Sequence, residues 1–169
     1  HYPSKGFLYD LYEKYHLEVR NSLLYENLKG KKEGIRIEYS ATSFTKMGIL
    51  TYSVVNDLLD EYDILLMDEV NAGLHVASQI ELAILIYLLA KNHKIILTTH
   101  DLSFVDFILN FSRLIKNKDK IEKELNIHFP TFDKLPEVSL YLIQKGKLNY
   151  INPDSSAIPD YTEFYLNTI

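Results

Sequence analysis

At 169 residues and 19.7 kDa the chain fits a single domain on the usual span of roughly 100–200 residues, and it is long enough to enclose a substantial core. Hydrophobic residues at 47%, charged residues at 24%, six Gly and five Pro exclude disordered, collagen-like and low-complexity classes and predict a soluble globular domain. The balance of 18 Lys and Arg against 23 Asp and Glu, net -5, gives no support to indiscriminate polyanion binding, while the lack of cysteine removes disulfide frameworks, Cys-based zinc sites and thiol nucleophiles and is compatible with the cytoplasm.

From Gly6 to Gly30 the apolar residues Leu8, Leu11, Tyr12, Tyr15, Val19, Leu23 and Leu24 recur at threes and fours, which predicts a helical segment over 1–34. The alternation Ile35-Arg36-Ile37-Glu38-Tyr39 predicts a half-buried strand. Ser40 to Ser43 then offer hydroxyl caps for a helix whose apolar face is Met47, Leu50, Val54, Val55, Leu58 and Leu59.

Asp63-Ile64-Leu65-Leu66-Met67 is a continuous apolar run that ends in the acidic pair Asp68-Glu69, as expected of a strand buried on both faces. A helix over 76–91 and a second apolar strand, Ile95-Ile96-Leu97-Thr98-Thr99, follow. Together they form a βαβ unit, with parallel strands and a right-handed crossover. The apolar stretch Ile80 to Ala90 contains Glu81 and is shorter than the roughly 20 residues a membrane helix needs, so it reads as a buried helix.

Leu102 to Phe111 predicts a helix, and the charge-rich run Lys116 to Glu124 a solvated helix or linker. Leu140-Tyr141-Leu142-Ile143 and Leu148-Asn149-Tyr150-Ile151, joined through Gln144-Lys145-Gly146-Lys147, predict a hairpin, and Pro153 and Pro159 break the tail into a loop. The chain therefore divides into a helical segment (1–34), a motif-bearing core (35–111) and a charged linker, hairpin and tail (112–169).

Ligands of open parallel sheets bind where the strands end. Asp68 and Glu69 close one strand and His100 closes its neighbour. An Asp at such an end suits Mg²⁺, mostly through water; a following Glu suits a water-activating base; a neighbouring His can donate to a terminal phosphate. The alternatives are a solvent-facing strand end that merely favours acidic residues, a metal-dependent phosphohydrolase built on His100-Asp101, and a non-catalytic interaction or regulatory domain. His16, His93 and His128 have no converging acidic cluster and read as surface residues, and the thirteen Tyr and eight Phe read as core and interface material.

Ile64-Leu65-Leu66-Met67-Asp68-Glu69 resembles the Walker B motif of ABC-type ATPases, the superfamily that includes SMC-like repair proteins and AAA/OLD-like ATPases. Glu69-Val70-Asn71-Ala72-Gly73-Leu74-His75 is similar to the stretch Glu-Pro-Glu-Ala-His-Leu-His of the OLD-like branch, and Thr98-Thr99-His100-Asp101 to its switch-histidine loop. Ala41-Thr42-Ser43-Phe44-Thr45-Lys46 stands in the place of the ABC signature, with Phe44 where glycine would let the backbone approach phosphate.

The resemblance spans about Ser40 to Phe111 and implies an α/β, three-layer P-loop-NTPase-like half-domain with a mainly parallel sheet, to which the C-terminal hairpin adds antiparallel strands. It implies ATP and Mg²⁺ as ligands, Asp68 as the metal residue, and Glu69 and His100 as catalytic residues. Thr42 and Ser43 would reach a partner subunit's nucleotide, and Asn71, Gly73 and His75 would communicate across a dimer. The implied partners are a second copy in the ATP-bound state, DNA, and no membrane. The glycines at 6, 30, 34, 48, 73 and 146 form no Gly-x-x-x-x-Gly-Lys-Ser/Thr cradle. With His1 in place of Met, the sequence is expected to be the C-terminal part of a longer ATPase whose N-terminal portion carries the P-loop, and to bind nucleotide poorly by itself.

Overall fold

A computed structural model describes residues 6–21, 23–26, 34–37 and 40–151. The architecture is mixed α/β. Helix α1 (Phe7–Lys14) buries Phe7 and Leu11 and is followed by three short antiparallel strands, β1 (Leu17–Arg20), β2 (Leu23–Glu26) and β3 (Ile35–Arg36), in the order β1-β2-β3. The expected helical segment over 1–34 is thus helical only through Lys14. Beyond it Leu17 to Arg20 pair antiparallel with Leu23 to Glu26, and Asn21 turns the chain between them at φ 49, a conformation that Asn tolerates better than most residues. Glu38 and Tyr39 of the expected third strand, and the tail beyond Ile151, lie outside the described residues.

Helix α2 (Thr42–Val55) buries Met47, Gly48, Thr51 and Val55. Its N-cap is Ala41, with no side-chain cap, so the expected hydroxyl cap is not formed; Leu58 and Leu59 lie past its end in a turn. Strand β4 (Ile64–Asp68), helix α3 (Val76–Leu89) and strand β5 (Lys94–Thr98) form the expected βαβ unit, parallel and in register from Ile64 opposite Lys94 to Asp68 opposite Thr98. The strands are not buried on both faces. Leu65 is buried, but Ile64, Leu66 and Ile96 on the other face are 52%, 76% and 59% exposed. Among the described residues the mainly parallel sheet reduces to this one parallel pair; the other two sheets are antiparallel.

Helices α4 (Leu102–Leu109), α5 (Phe111–Lys116) and α6 (Lys118–Leu125) follow, the last a mostly solvated helix that buries Ile121. Strands β6 (Leu140–Gln144) and β7 (Lys147–Ile151) form the expected hairpin as a sheet of their own. Its connection is two residues, Lys145 at φ 50 and Gly146 at φ 72, the double left-handed turn that matches strand twist.

The core is built around α3, whose apolar residues from Leu82 to Tyr87 are buried around the whole circumference, against Phe7 and Leu11 of α1, Met47 of α2, and Phe104 and Ile108 of α4. Tyr87 stacks on Phe111 at 3.7 Å between centroids and donates to the Ile108 carbonyl at 2.6 Å, and burial pushes its phenol up to about 12. One charge sits inside this core. Glu81 is fully buried and is met by the Tyr15 hydroxyl and the Lys14 ammonium, each at 2.5 Å. Burial, and after it the charge of Glu81, holds the Tyr15 phenol well above its usual range, so it remains a donor.

This pairing fastens α1 to α3, because a buried carboxylate stripped of a donor keeps its desolvation penalty without the compensation. Tyr15→Phe is expected to destabilise the fold by about 1–3 kcal/mol, read from urea unfolding midpoints. An unchanged midpoint would show that Glu81 does not need this donor.

Candidate functional site

Asp68 is the last residue of β4 and lies opposite Thr98, the last of β5, whose hydroxyl donates to Asp68 Oδ1. The next residue, Glu69, donates its backbone N–H to the Thr98 carbonyl at 3.1 Å, so the pairing runs one step past the strand. Glu69 then adopts φ 46. A non-glycine residue in that region costs of order 1–3 kcal/mol unless its surroundings hold it there. The Ala72 N–H donates to the Glu69 carbonyl at 3.0 Å, and the Lys46 ammonium from α2 donates to the Glu69 and Ala72 carbonyls at 2.8 and 2.9 Å. Gly73 turns the loop at φ 77, and a Cβ there would stand 3.3 Å from Thr42 Cγ2.

The loop after β5 is fixed from inside. Asn71, 1% exposed, accepts from the Thr99 hydroxyl at 2.7 Å and donates to Asp101 Oδ2 at 3.3 Å. Gln79 of α3 donates to that same oxygen at 2.8 Å. The other oxygen of Asp101 caps α4 through the N–H groups of Ser103 and Phe104 at 2.9 and 3.3 Å. A carboxylate so engaged anchors the loop that carries His100.

Between the two loops, His100 Nδ1 lies 2.8 Å from Glu69 Oε2, an oxygen shielded from solvent. The imidazole itself is largely open to water. Its hydrogen bond with Glu69, and after it the carboxylate charge, raise the His100 pKa above the ordinary 6.5. Asp68, Glu69 and His100 therefore stand together at the C-terminal end of the parallel pair.

The other expected residues divide. Thr42 and Ser43 are the first two residues of α2, Thr42 exposed and against Gly73. His75 is exposed and caps α3, its Nδ1 accepting from the Ala77 N–H at 3.3 Å. Asn71 faces the interior. His100-Asp101 sits just past a strand end and at a helix cap, and among the described residues no group of three His, Asp or Glu side chains is arranged to hold a metal. Lys46, Thr98 and Gln79 gain roles that spacing did not single out. Lys46 lies within the signature-like segment, but only the fold aims its amine at the turn after β4. Beside the site, α2 and β4 flank a groove of about 350 Å³ lined by Lys46, Ile49, Leu50, Leu66, Met67 and Val70 among others.

No protein-family model matches this sequence, and no curated protein matches it. A solved structure described under the structural biochemistry of ATP-driven dimerization and DNA stimulated activation of SMC ATPases is similar over 94% of this chain and 86% of that chain, with 14% identity and a TM-score of 0.49. No helix among the described residues is long and apolar enough to cross a membrane.

A raised His100 pKa means that the ion pair's contribution to stability is full below pH 6.5 and is lost as the pH rises through the folded-state midpoint. An NMR titration of the imidazole is expected to give a midpoint above 6.5 that falls toward that value in Glu69→Gln. Equal midpoints in the two proteins would show that the carboxylate does not hold the ring.

Proposed function

We propose that this chain is the C-terminal part of an ABC-type ATPase, of the SMC-like or OLD-like kind, which hydrolyses Mg-ATP when an N-terminal P-loop portion supplies the phosphate cradle. The observation that carries this reading is the contact of Glu69 with His100 across the ends of two in-register parallel strands, next to Asp68. Exposed Ile64, Leu66 and Ile96 support completion of the sheet by further elements, giving the three-layer half-domain its missing layer.

The residues fit Mg²⁺ as that ion is held in nucleotide sites, through one carboxylate, water and substrate phosphates rather than a cage of protein ligands. Asp68 is the ligand residue, with Thr98 fixing one carboxylate oxygen and leaving the group open to solvent. The ion supplies neutralisation of phosphate charge when bound. Glu69 orients the attacking water and takes its proton, and His100, its pKa raised by Glu69, donates to the γ-phosphate. A terminal phosphate offers His100 a second acceptor, so its arrival releases Glu69 to engage water and its departure restores the pair.

Thr42 and Ser43, at a helix start with no side-chain cap, present N–H groups suited to a partner's γ-phosphate in an ATP-bound homodimer. Gly73 and His75 are exposed on the adjoining loop, where they pass that contact between subunits, while Asn71 passes it inward to Thr99 and Asp101. Coupling to DNA repair or defence in the cytoplasm belongs to the same reading, with DNA as the macromolecule to test.

In the complete protein, Glu69→Gln is expected to retain ATP binding and to lower turnover at least about tenfold, since a missing base costs typically 10²–10⁴. Asp68→Ala is expected to weaken the Mg²⁺ dependence instead. Steady-state hydrolysis with wild-type turnover in Glu69→Gln would remove this glutamate from the reaction.

A further inference from the structure

Glu69 holds a left-handed backbone at φ 46, and from that position its side chain meets His100 at 2.8 Å. Its N–H is bound by Thr98 and its carbonyl accepts from both the Ala72 N–H and the Lys46 ammonium. Thr98 and Ala72 belong to the strand pair and to the turn itself. Lys46 comes from another element, α2, and its ammonium spans the two carbonyls at either end of the turn, at 2.8 and 2.9 Å. A second contact supports this placement. Thr42, four residues earlier and so on the same face of α2, lies against Gly73 closely enough that a Cβ there would stand 3.3 Å from Thr42 Cγ2. Two adjacent points on one helix face thus fit two ends of the 69–73 loop.

We propose that Lys46 is a positioning residue that clamps the turn after β4 to α2, holding the left-handed Glu69 with its carboxylate on His100. A charged donor shared by two carbonyls stabilises the turn more than a neutral one would, and its long stem lets it do so from a partly buried position. The clamp also makes the start of α2 and the carboxylate of Glu69 move as one body, so that displacement at Thr42 and Ser43 is felt at the Glu69–His100 pair. That consequence rests on the hydrolytic role proposed for Glu69, whereas the clamp itself does not.

The test is a comparison by NMR of the isotopically labelled chain with its Lys46→Met and Lys46→Arg variants, without nucleotide. The wild-type chain is expected to show NOEs between the Glu69 side-chain methylenes and the His100 ring, and between the Tyr87 and Phe111 rings of the core. Lys46→Met should lose the first set and keep the second, because it preserves the stem and removes the donors. Lys46→Arg, which can still donate to two carbonyls, should keep both. Retention of the Glu69–His100 NOEs in Lys46→Met, or loss of both sets together, would overturn the proposal, the first because no clamp is needed and the second because Lys46 then supports the fold at large. Failure of the complete protein to hydrolyse ATP would instead overturn the hydrolytic reading and leave these NOEs to stand or fall by themselves.

Discussion

Parallel strands cannot be joined by a tight turn; the chain must travel back to the starting end before the second strand begins, and α3 provides that return. Its burial around the whole circumference fixes where β5 starts, and hence that Asp68 lies opposite Thr98 rather than one residue away. A slip of one residue would turn Leu65 outward and carry His100 away from Glu69. The register is therefore the constraint on which the site depends. The core contacts that secure it include a fully buried Glu81 whose donors come from the end of α1 and the residue that follows it.

Beyond the strands, two loops must hold their shape without regular structure, and side-chain hydrogen bonds substitute for it. Asn71, Gln79, Thr99 and Asp101 are hydrogen-bonded to one another under the His100 loop, with one carboxylate serving both as helix cap and as acceptor for two amides. The Glu69 loop is held instead by Lys46 and by its own turn bond. Polar groups that bond one another in this way specify a geometry as well as stabilising it. His100 and Asp68 themselves are exposed to solvent, the one paired with Glu69 and the other accepting from Thr98.

Much of this was legible in the sequence where hydrophobic runs are long and end abruptly. The apolar run ending at Asp68-Glu69, the helix over 76–91 and the apolar run Ile95 to Thr99 declare a βαβ unit, and the acidic and histidine residues that follow the strands mark the end where a ligand is expected. The segment after Lys14 is ambiguous because Tyr15, Val19 and Leu23 recur at fours, a spacing that serves a helix face and a strand face alike over so short a span. The turn at Asn21 decides between them. Burial of β4 on both faces is the expectation from a continuous apolar run, which cannot say whether a second layer is present to cover Leu66. The work of Lys46 and Gln79 was not legible at all, because it depends on bonds between residues far apart in sequence.

If Glu69 and His100 act as a unit on one bound phosphate, removing both should cost little more than removing one. Mg-ATP hydrolysis by the complete protein, measured for wild type, Glu69→Gln, His100→Gln and the double variant, tests this directly. Each single variant is expected to lose at least about tenfold in turnover, with the double variant close to the worse single one. Wild-type turnover in either single variant, or losses that multiply in the double, would contradict the account of a shared site at the ends of these two strands.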